Sequence, residues 1–139
     1  MQMSQIPSIP PRQNTSVLQT ARILVVDDSD DNRLLASRIL GKLGAHVEVA
    51  NNGAEGFRKA MGGTYDVVLM DLQMPVMDGY EATRSLRRAG FRIPVVALTA
   101  HSMLEDRLQT RMAGFDGHLT KPINIPELIE VVSGFVHHD

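Results

Sequence analysis

The sequence predicts an α/β fold, a three-layer sandwich in which helices cover both faces of a doubly wound parallel sheet. Short apolar runs alternate along the chain with segments of helical periodicity, which indicates five βα repeats. Three of the apolar runs are nearly continuous in Val, Ile and Leu. Such continuity is typical of central parallel strands, because helices bury both of their faces.

Five strands are predicted in chain order, at residues 23–26, 46–50, 67–70, 94–98 and 117–120. Helix starts are marked by capping boxes, in which a capping residue precedes a Glu by three positions. Four such boxes occur, at Asn52 to Glu55, Asp78 to Glu81, Ser102 to Glu105 and Asn124 to Glu127. Strands and caps therefore alternate as a βα repeat requires.

Two of the predicted helices carry an apolar stripe at four-residue spacing. The first begins after Ser29, carries Leu35, Ile39 and Leu43, and ends at Gly44. The fourth carries Leu104, Leu108 and Met112, and ends at Gly114. We expect both stripes to face the sheet and to belong to the core.

The first 20 residues differ in composition from the rest of the chain. They contain three of the seven prolines and a single charged residue, and they show no helical or alternating period. We expect residues 1–20 to be a flexible tail or linker and residues 21–139 to form one domain.

Composition excludes several classes of function. The chain has 14 Lys and Arg against 16 Asp and Glu, so it lacks the basic excess that direct nucleic-acid binding requires. It contains no Cys, which excludes disulfides and thiol chemistry. No apolar run is long enough to span a membrane and no signal peptide is visible, so we expect a cytoplasmic location.

Polar residues follow four of the predicted strands, where ligand sites form in sheets of this kind. They are the pair Asp27 and Asp28, then Asp71, Thr99 and Lys121. Three carboxylates at one edge repel one another unless a cation neutralises them, and hard oxygen ligands favour Mg²⁺. Because Mg²⁺ prefers to complete its shell with phosphate oxygen and carboxylates can attack phosphorus, the edge is suited to forming an aspartyl phosphate.

The motifs at these strand ends resemble those of the receiver domains of bacterial two-component response regulators, over about residues 21–137. In chain order they are Val25-Val26-Asp27-Asp28, Met70-Asp71-Leu72-Gln73-Met74-Pro75, Ala97-Leu98-Thr99-Ala100 and Leu119-Thr120-Lys121-Pro122-Ile123. The residues of these motifs are most similar to those of the receivers of hybrid sensor histidine kinases. The resemblance implies a flavodoxin-like (βα)5 fold whose parallel sheet has the strand order 2-1-3-4-5.

The resemblance also implies a role for each site residue. Asp71 would accept a phosphoryl group from a phosphohistidine, and Thr99 and Lys121 would bind the phosphate. Mg²⁺, with Mn²⁺ as an alternative, would be held by Asp28, Asp71 and the backbone carbonyl of Gln73, and Asp27 would assist through water. The Lys121–Pro122 peptide would be cis.

Phosphorylation in such receivers draws the Thr hydroxyl inward together with an aromatic residue of the fifth strand. Here Thr99 and His118 take these switch positions, and His118 departs from the usual Tyr or Phe. The implied partner is a histidine kinase or a histidine phosphotransfer protein, and the chain would act as a monomer or weak dimer, alone or as part of a membrane-anchored hybrid kinase. It would be a signalling switch and not an enzyme, beyond its own phosphorylation and dephosphorylation.

Two other functions fit the same residues. A Mg²⁺-dependent phosphatase of small phosphate esters could use Asp71 as its nucleophile, although the chain leaves little length for a lid over the site. A pseudo-receiver would keep the fold and only bind partners, although all five strand-end residues are present.

Overall fold

The computed structural model describes residues 17–100 and 104–136, which form a five-stranded parallel sheet between two layers of helices. The strands are β1 (Arg22–Val26), β2 (His46–Ala50), β3 (Val67–Asp71), β4 (Val95–Thr99) and β5 (Gly117–Thr120). The helices are α1 (Asp30–Lys42), α2 (Gly53–Gly62), α3 (Gly79–Arg88), α4 (Leu104–Ala113) and α5 (Ile125–Val136). Each predicted strand is present, with ends that differ by one residue at most.

The sheet has the order β2-β1-β3-β4-β5, with every neighbouring pair parallel. The predicted fold class and strand order 2-1-3-4-5 are thereby confirmed. Alternate residues of the central strands enter two separate cores, as the twofold period of a strand dictates. One core packs β1, β3 and β4 against α2 and α3, and the other packs them against α1 and α5.

Capping side chains begin four of the helices. Ser29, Asn52, Asp78 and Asn124 each accept a hydrogen bond from the backbone N–H three residues ahead. The capping box predicted at Ser102 lies outside the described residues. Because the first turn of a helix has no internal acceptors for its N–H groups, these caps set where α1, α2, α3 and α5 start.

The apolar stripes predicted for α1 and α4 are wrong in part. Leu35 is 38% exposed, Leu108 is 50% exposed and Met112 is 85% exposed. The residues that α1 buries are Ala36 and Leu40, one position later, and α4 buries Thr110 and Ala113. A four-residue step advances 400° around a helix, about 40° more than a full turn, so a stripe at i, i+4, i+8 rotates away from the sheet. Small residues such as Ala36 and Ala113 lie where the two helices contact the core, because they allow close packing there.

The described part of the segment predicted as a tail contacts the domain. Leu18 is fully buried in the core between α1 and α5, and its N–H donates to the Leu43 carbonyl at 2.8 Å. Residues 1–16 lie outside the described range. Within the described residues, no helix is long and apolar enough to cross a membrane.

Candidate functional site

The carboxyl ends of β1, β3, β4 and β5 meet at one edge of the sheet and form an open cavity of about 270 Å³. Asp28, Asp71, Thr99 and Lys121 line it, although they are spread over more than ninety positions of sequence. Neighbouring parallel strands end together, which explains why the fold gathers these side chains.

Three carboxylates form a cluster at this edge. Asp27 is fully buried and Asp71 is 3% exposed, whereas Asp28 faces solvent. One carboxylate oxygen from each lies within 4.8 Å of the others. Negative charges at this separation repel strongly in a partly dry environment, so the cluster requires positive charge around it.

Lys121 supplies part of that charge. Its ammonium nitrogen lies 3.0 Å from Asp71 Oδ2 and 3.4 Å from Asp27 Oδ2. Burial alone would lower the pKa of Lys121, but the hydrogen bond to Asp71 and the charges of Asp27 and Asp71 raise it above its usual value. The Lys121 side chain therefore stays protonated at neutral pH. The Lys121–Pro122 peptide bond, which precedes α5, is cis, as the resemblance implied.

The first turn of α1 holds Asp27 in place. Asp27 Oδ1 accepts from the Ser29 N–H at 2.9 Å and Oδ2 accepts from Asn32 Nδ2 at 3.3 Å. Arg33 donates to the Asp27 carbonyl at 2.7 Å. The sequence analysis did not identify Asn32 or Arg33, although their positions in the first turn after the Asp pair could have suggested both contacts.

The pKa of Asp71 is raised from 3.8 to about 6. Burial raises this pKa most, the hydrogen bond from Lys121 lowers it, and the charge of Asp27 raises it further. The Gln73 N–H points at Asp71 Oδ1 from 3.4 Å and lowers the pKa slightly. The folded, metal-free chain thus binds a proton at Asp71 more tightly than the unfolded chain does.

This pKa predicts an effect of Asp71→Asn on stability. Because the folded pKa exceeds the unfolded one, stability of the parent chain falls as pH rises from about 4 to about 6. In metal-free buffer at about pH 8 the Asn variant should gain about 1–2 kcal/mol in free energy of unfolding. Urea denaturation at about pH 8 and about pH 4 checks this, since the gain should nearly vanish at the lower pH. An equal gain at both would contradict it.

Thr99 ends β4 on the same cavity. Its side chain is 7% exposed and it lies beside Asp71, since β3 and β4 pair in register up to Asp71 and Leu98. A hydroxyl here can donate to an anion that occupies the cavity next to Asp71. Gln73 also lines the cavity, so every residue predicted for catalysis or metal binding lies at this edge or directly beneath it.

His118 lies elsewhere. It is half-buried on β5 and lines a separate surface cavity with Arg107 and Arg111 of α4. Burial and the charge of Arg107 lower its pKa, and Glu127 of α5 opposes them. The imidazole is therefore mainly neutral at neutral pH.

The loop between β3 and α3 passes close to Asp71. Gly79 begins α3 and donates to the Leu72 carbonyl at 2.9 Å. A Cβ atom at Gly79 would overlap the Asp71 carbonyl oxygen, so only glycine allows this approach. In the same loop the Met77 N–H donates to the Pro75 carbonyl at 2.8 Å, which closes a γ-turn on Val76.

The positive φ of Val76 indicates that a substitution by glycine would stabilise the fold. It has φ of 73° and is 82% exposed, so a β-branched residue adopts a left-handed conformation without burial to offset the cost. Val76→Gly should raise the free energy of unfolding by about 0.5–1 kcal/mol, measured by thermal denaturation. Val76→Ala keeps the Cβ atom and is the control, expected to gain less. A loss of stability in Val76→Gly would show that the turn carries no strain.

Tyr80 and Gln109 complete the wall of the cavity, and the sequence analysis did not identify either. Tyr80 follows Gly79 in the first turn of α3, and Gln109 lies on α4. A contact between helices that pack across the sheet edge leaves no signal in local sequence spacing.

Comparison with known proteins identifies the family. A model of the response regulator receiver domain matches residues 23–133. Probable histidine kinase 2 of Oryza sativa subsp. indica is 41% identical over 135 residues, which cover 84% of this chain and 13% of that protein. The sensor histidine kinase GacS of Pseudomonas protegens is 40% identical over 116 residues, which cover 80% of this chain and 13% of that protein. The chain thus spans only a small part of these relatives.

Solved structures of receiver domains share this fold over most of the chain. The receiver domain of the sensor histidine kinase PA1611 from Pseudomonas aeruginosa, which has a magnesium ion coordinated in its active site cleft, superimposes with a TM-score of 0.78 at 35% identity. The match covers 86% of this chain and 99% of that one. The receiver domain of Ssk1 from Saccharomyces cerevisiae, crystallised with the histidine phosphotransfer protein Ypd1, gives a TM-score of 0.82 at 26% identity, with 86% and 90% covered.

The family model matches residues 23–133, and these two histidine kinases align with 84% and 80% of the chain. The chain therefore belongs to the response regulator receiver domain family of two-component signalling proteins, and its sequence is similar to the receiver regions of hybrid sensor histidine kinases.

Proposed function

We propose that this domain is the phosphoacceptor switch of a two-component phosphorelay, with Asp71 as the residue phosphorylated. The observation that carries the proposal is a nearly buried carboxylate at the wall of an open cavity, 3.0 Å from a lysine ammonium. Burial makes this carboxylate reactive by removing its water, and the lysine limits the cost of ionising it. The receiver domain family is one of signalling switches, which fits this chemistry.

The residues of the cavity fit a bound Mg²⁺. Their donors are hard carboxylate oxygens that converge within 4.8 Å, and one of them, from Asp28, is open to solvent. We propose that Asp28, Asp71 and the Gln73 carbonyl hold the ion, with Asp27 acting through water. When bound, the ion would supply positive charge against the three carboxylates and the incoming phosphoryl oxygens.

The proposed transfer moves one phosphoryl group from a histidine nitrogen to a carboxylate oxygen. An Asp71 oxygen forms a bond to phosphorus while the bond from phosphorus to the imidazole nitrogen breaks, and the imidazole leaves with that electron pair. Lys121 and Thr99 bind the phosphoryl oxygens, because both residues line the cavity and carry groups that can donate to an anion. Water later attacks the phosphorus, the bond from phosphorus to the Asp71 oxygen breaks with its electron pair left on the carboxylate, and inorganic phosphate is released.

The phosphodonor would be a histidine kinase or a histidine phosphotransfer protein. Apolar side chains are exposed on two helices that follow strands ending at the cavity, with Leu34 at 51% and Leu35 at 38% on α1 and Ile125 at 44% at the start of α5. A helical partner that presents its phosphohistidine to Asp71 would cover them. The complex of the Ssk1 receiver domain with Ypd1 supports a partner of this class.

Intact mass after incubation with acetyl phosphate tests the proposed function. The parent chain should gain one phosphoryl group when Mg²⁺ is present, and the gain should be lost in metal-free buffer and in Asp71→Asn. Asp78→Asn is the matched control, because Asp78 caps α3 outside the acidic cluster and should leave the gain intact. Steady release of phosphate with no captured adduct would favour the phosphatase, and no reaction would favour the pseudo-receiver.

A further inference from the structure

A second cavity adjoins the cavity lined by Asp71, Thr99 and Lys121, which we call the phosphorylation cavity after its proposed function. It is a groove of about 440 Å³ between α3 and α4, and Asp78, Arg84 and Met112 line its outer part. Tyr80 and Gln109 line both the groove and the phosphorylation cavity. These two side chains are therefore a shared wall, so a displacement of either one changes the space on both sides.

Tyr80 is also tied to the backbone of the phosphoacceptor. It follows Gly79, whose N–H donates to the Leu72 carbonyl at 2.9 Å and whose Cα packs against the Asp71 carbonyl with no room for a side chain. The carboxylate of Asp78 fixes the first turn of α3 by accepting from the Glu81 N–H at 2.9 Å. A shift at the end of β3 would therefore reach Tyr80 through the hydrogen bond and the close backbone packing of Gly79.

On its other side Tyr80 contacts the residue that leads into β5. Its ring meets the Phe115 ring edge to face, with centroids 6.2 Å apart and planes at 87°. Phe115 is only 6% exposed, so the surrounding core holds its ring in place against Tyr80. Tyr80 thus joins the phosphorylation cavity, the groove and the core beneath β5.

We propose that Tyr80, and not the β5 residue His118, is the positioning residue that passes the state of the phosphorylation site to the groove between α3 and α4. This inference rests on the proposed function, since phosphorylation of Asp71 is the event transmitted. His118 lines a different cavity, between Arg107 and the α4–β5 loop, whereas Tyr80 shares the cavity of Thr99 and Asp71. A phosphoryl group on Asp71 would fill space in the cavity that Tyr80 also lines, and a displaced Tyr80 side chain would change the groove on its other side.

A cysteine in the groove can report this coupling. The chain contains no Cys, and Met112 lines the groove at 85% exposure, so Met112→Cys introduces a single accessible thiol. The rate at which this thiol reacts with a chromogenic disulfide reagent is measured with Mg²⁺ alone and with Mg²⁺ plus acetyl phosphate. Intact mass of the same samples records how much of the protein carries the phosphoryl group.

Four further variants in the Met112→Cys background separate the residues. Tyr80→Leu should phosphorylate and lose the phosphorylation-dependent change in thiol reactivity. Tyr80→Phe keeps the ring that contacts Phe115 and should retain the change, and His118→Ala should retain it as well. Phe115→Leu leaves Tyr80 in place but removes the ring contact, and should weaken the change even if Tyr80→Leu fails to fold.

A change in thiol reactivity that survives in phosphorylated Tyr80→Leu would overturn the inference, and so would a change that is lost in phosphorylated His118→Ala. A phosphorylated Met112→Cys chain whose thiol reactivity does not change would overturn it as well. Absence of any gain in mass would instead remove the proposed function, and the inference with it.

Discussion

Lys121→Met is expected to lower the free energy of unfolding by about 3 kcal/mol at about pH 8 in metal-free buffer. The ammonium lies within 3.4 Å of Asp27 and within 3.0 Å of Asp71, and those side chains are 0% and 4% exposed. Removing it leaves two nearly buried carboxylates without a cation. Leaving buried charges uncompensated is among the most destabilising effects of a single substitution.

The loss should depend on pH and on Mg²⁺. As pH falls through the folded pKa of Asp71, near 6, that carboxyl takes up a proton and the repulsion is relieved, so the difference from the parent should shrink. Added Mg²⁺ should also restore part of the lost stability by binding the cluster. Urea denaturation at about pH 8 and about pH 5, with and without Mg²⁺, measures both effects.

Lys121→Arg is the matched control, because it keeps the positive charge. It should retain most of the stability while phosphorylating slowly, since a planar guanidinium cannot occupy the position of a compact ammonium. In Lys121→Met the rate of phosphoryl uptake from acetyl phosphate should fall by about 100-fold. A Met variant as stable as the parent at about pH 8 would show that Lys121 does not neutralise the cluster.

Arg87→Met is expected to destabilise the fold by about 3 kcal/mol through contacts that involve none of the residues lining the cavity at Asp71. The guanidinium donates to the carbonyls of Gly114, Phe91 and Ile93 at 2.8–2.9 Å. It also pairs with Asp116 at 2.8 Å, and the same Asp116 oxygen accepts from the Val95 N–H. One side chain therefore joins the end of α3, the start of β4 and the turn before β5.

Arg88→Met is a control of the same residue type at the next position. Arg88 is exposed and its guanidinium donates a hydrogen bond to the Ser85 hydroxyl at 3.2 Å, so its loss should change stability by no more than about 0.5 kcal/mol. Equilibrium denaturation of both variants makes the comparison. Equal effects at the two positions would contradict the assignment of Arg87 as the tie between these elements.

Much of this fold could be predicted from sequence because its signals are local. Within β1, β3 and β4 the runs 23–26, 67–70 and 95–98 are apolar throughout, as strands buried on both faces must be. Ser29, Asn52, Asp78 and Asn124 cap helices where short-range spacing indicates a cap. The acidic cluster followed from topology, since Asp27, Asp28 and Asp71 follow strands that end at one edge.

The errors arise where packing decides. Leu108 and Met112 are exposed although their spacing predicted a buried face, because α4 turns the small residue Ala113 toward its neighbours. The contacts of Arg87 join residues up to 29 positions apart and follow no sequence period. Tyr80 reaches the phosphorylation cavity only through the way α3 and α4 pack. Such contacts depend on tertiary structure and leave no pattern in the chain.

The most direct test of the central claim is to locate the phosphoryl group. An aspartyl phosphate is an acyl phosphate, so borohydride reduces it to the alcohol and converts the modified aspartate to homoserine. Peptide mass analysis after incubation with acetyl phosphate and Mg²⁺, followed by reduction, should find homoserine at position 71 and aspartate at positions 27 and 28. Homoserine at position 27 or 28, with Asp71 unchanged, would contradict the assignment of Asp71 as the phosphoacceptor.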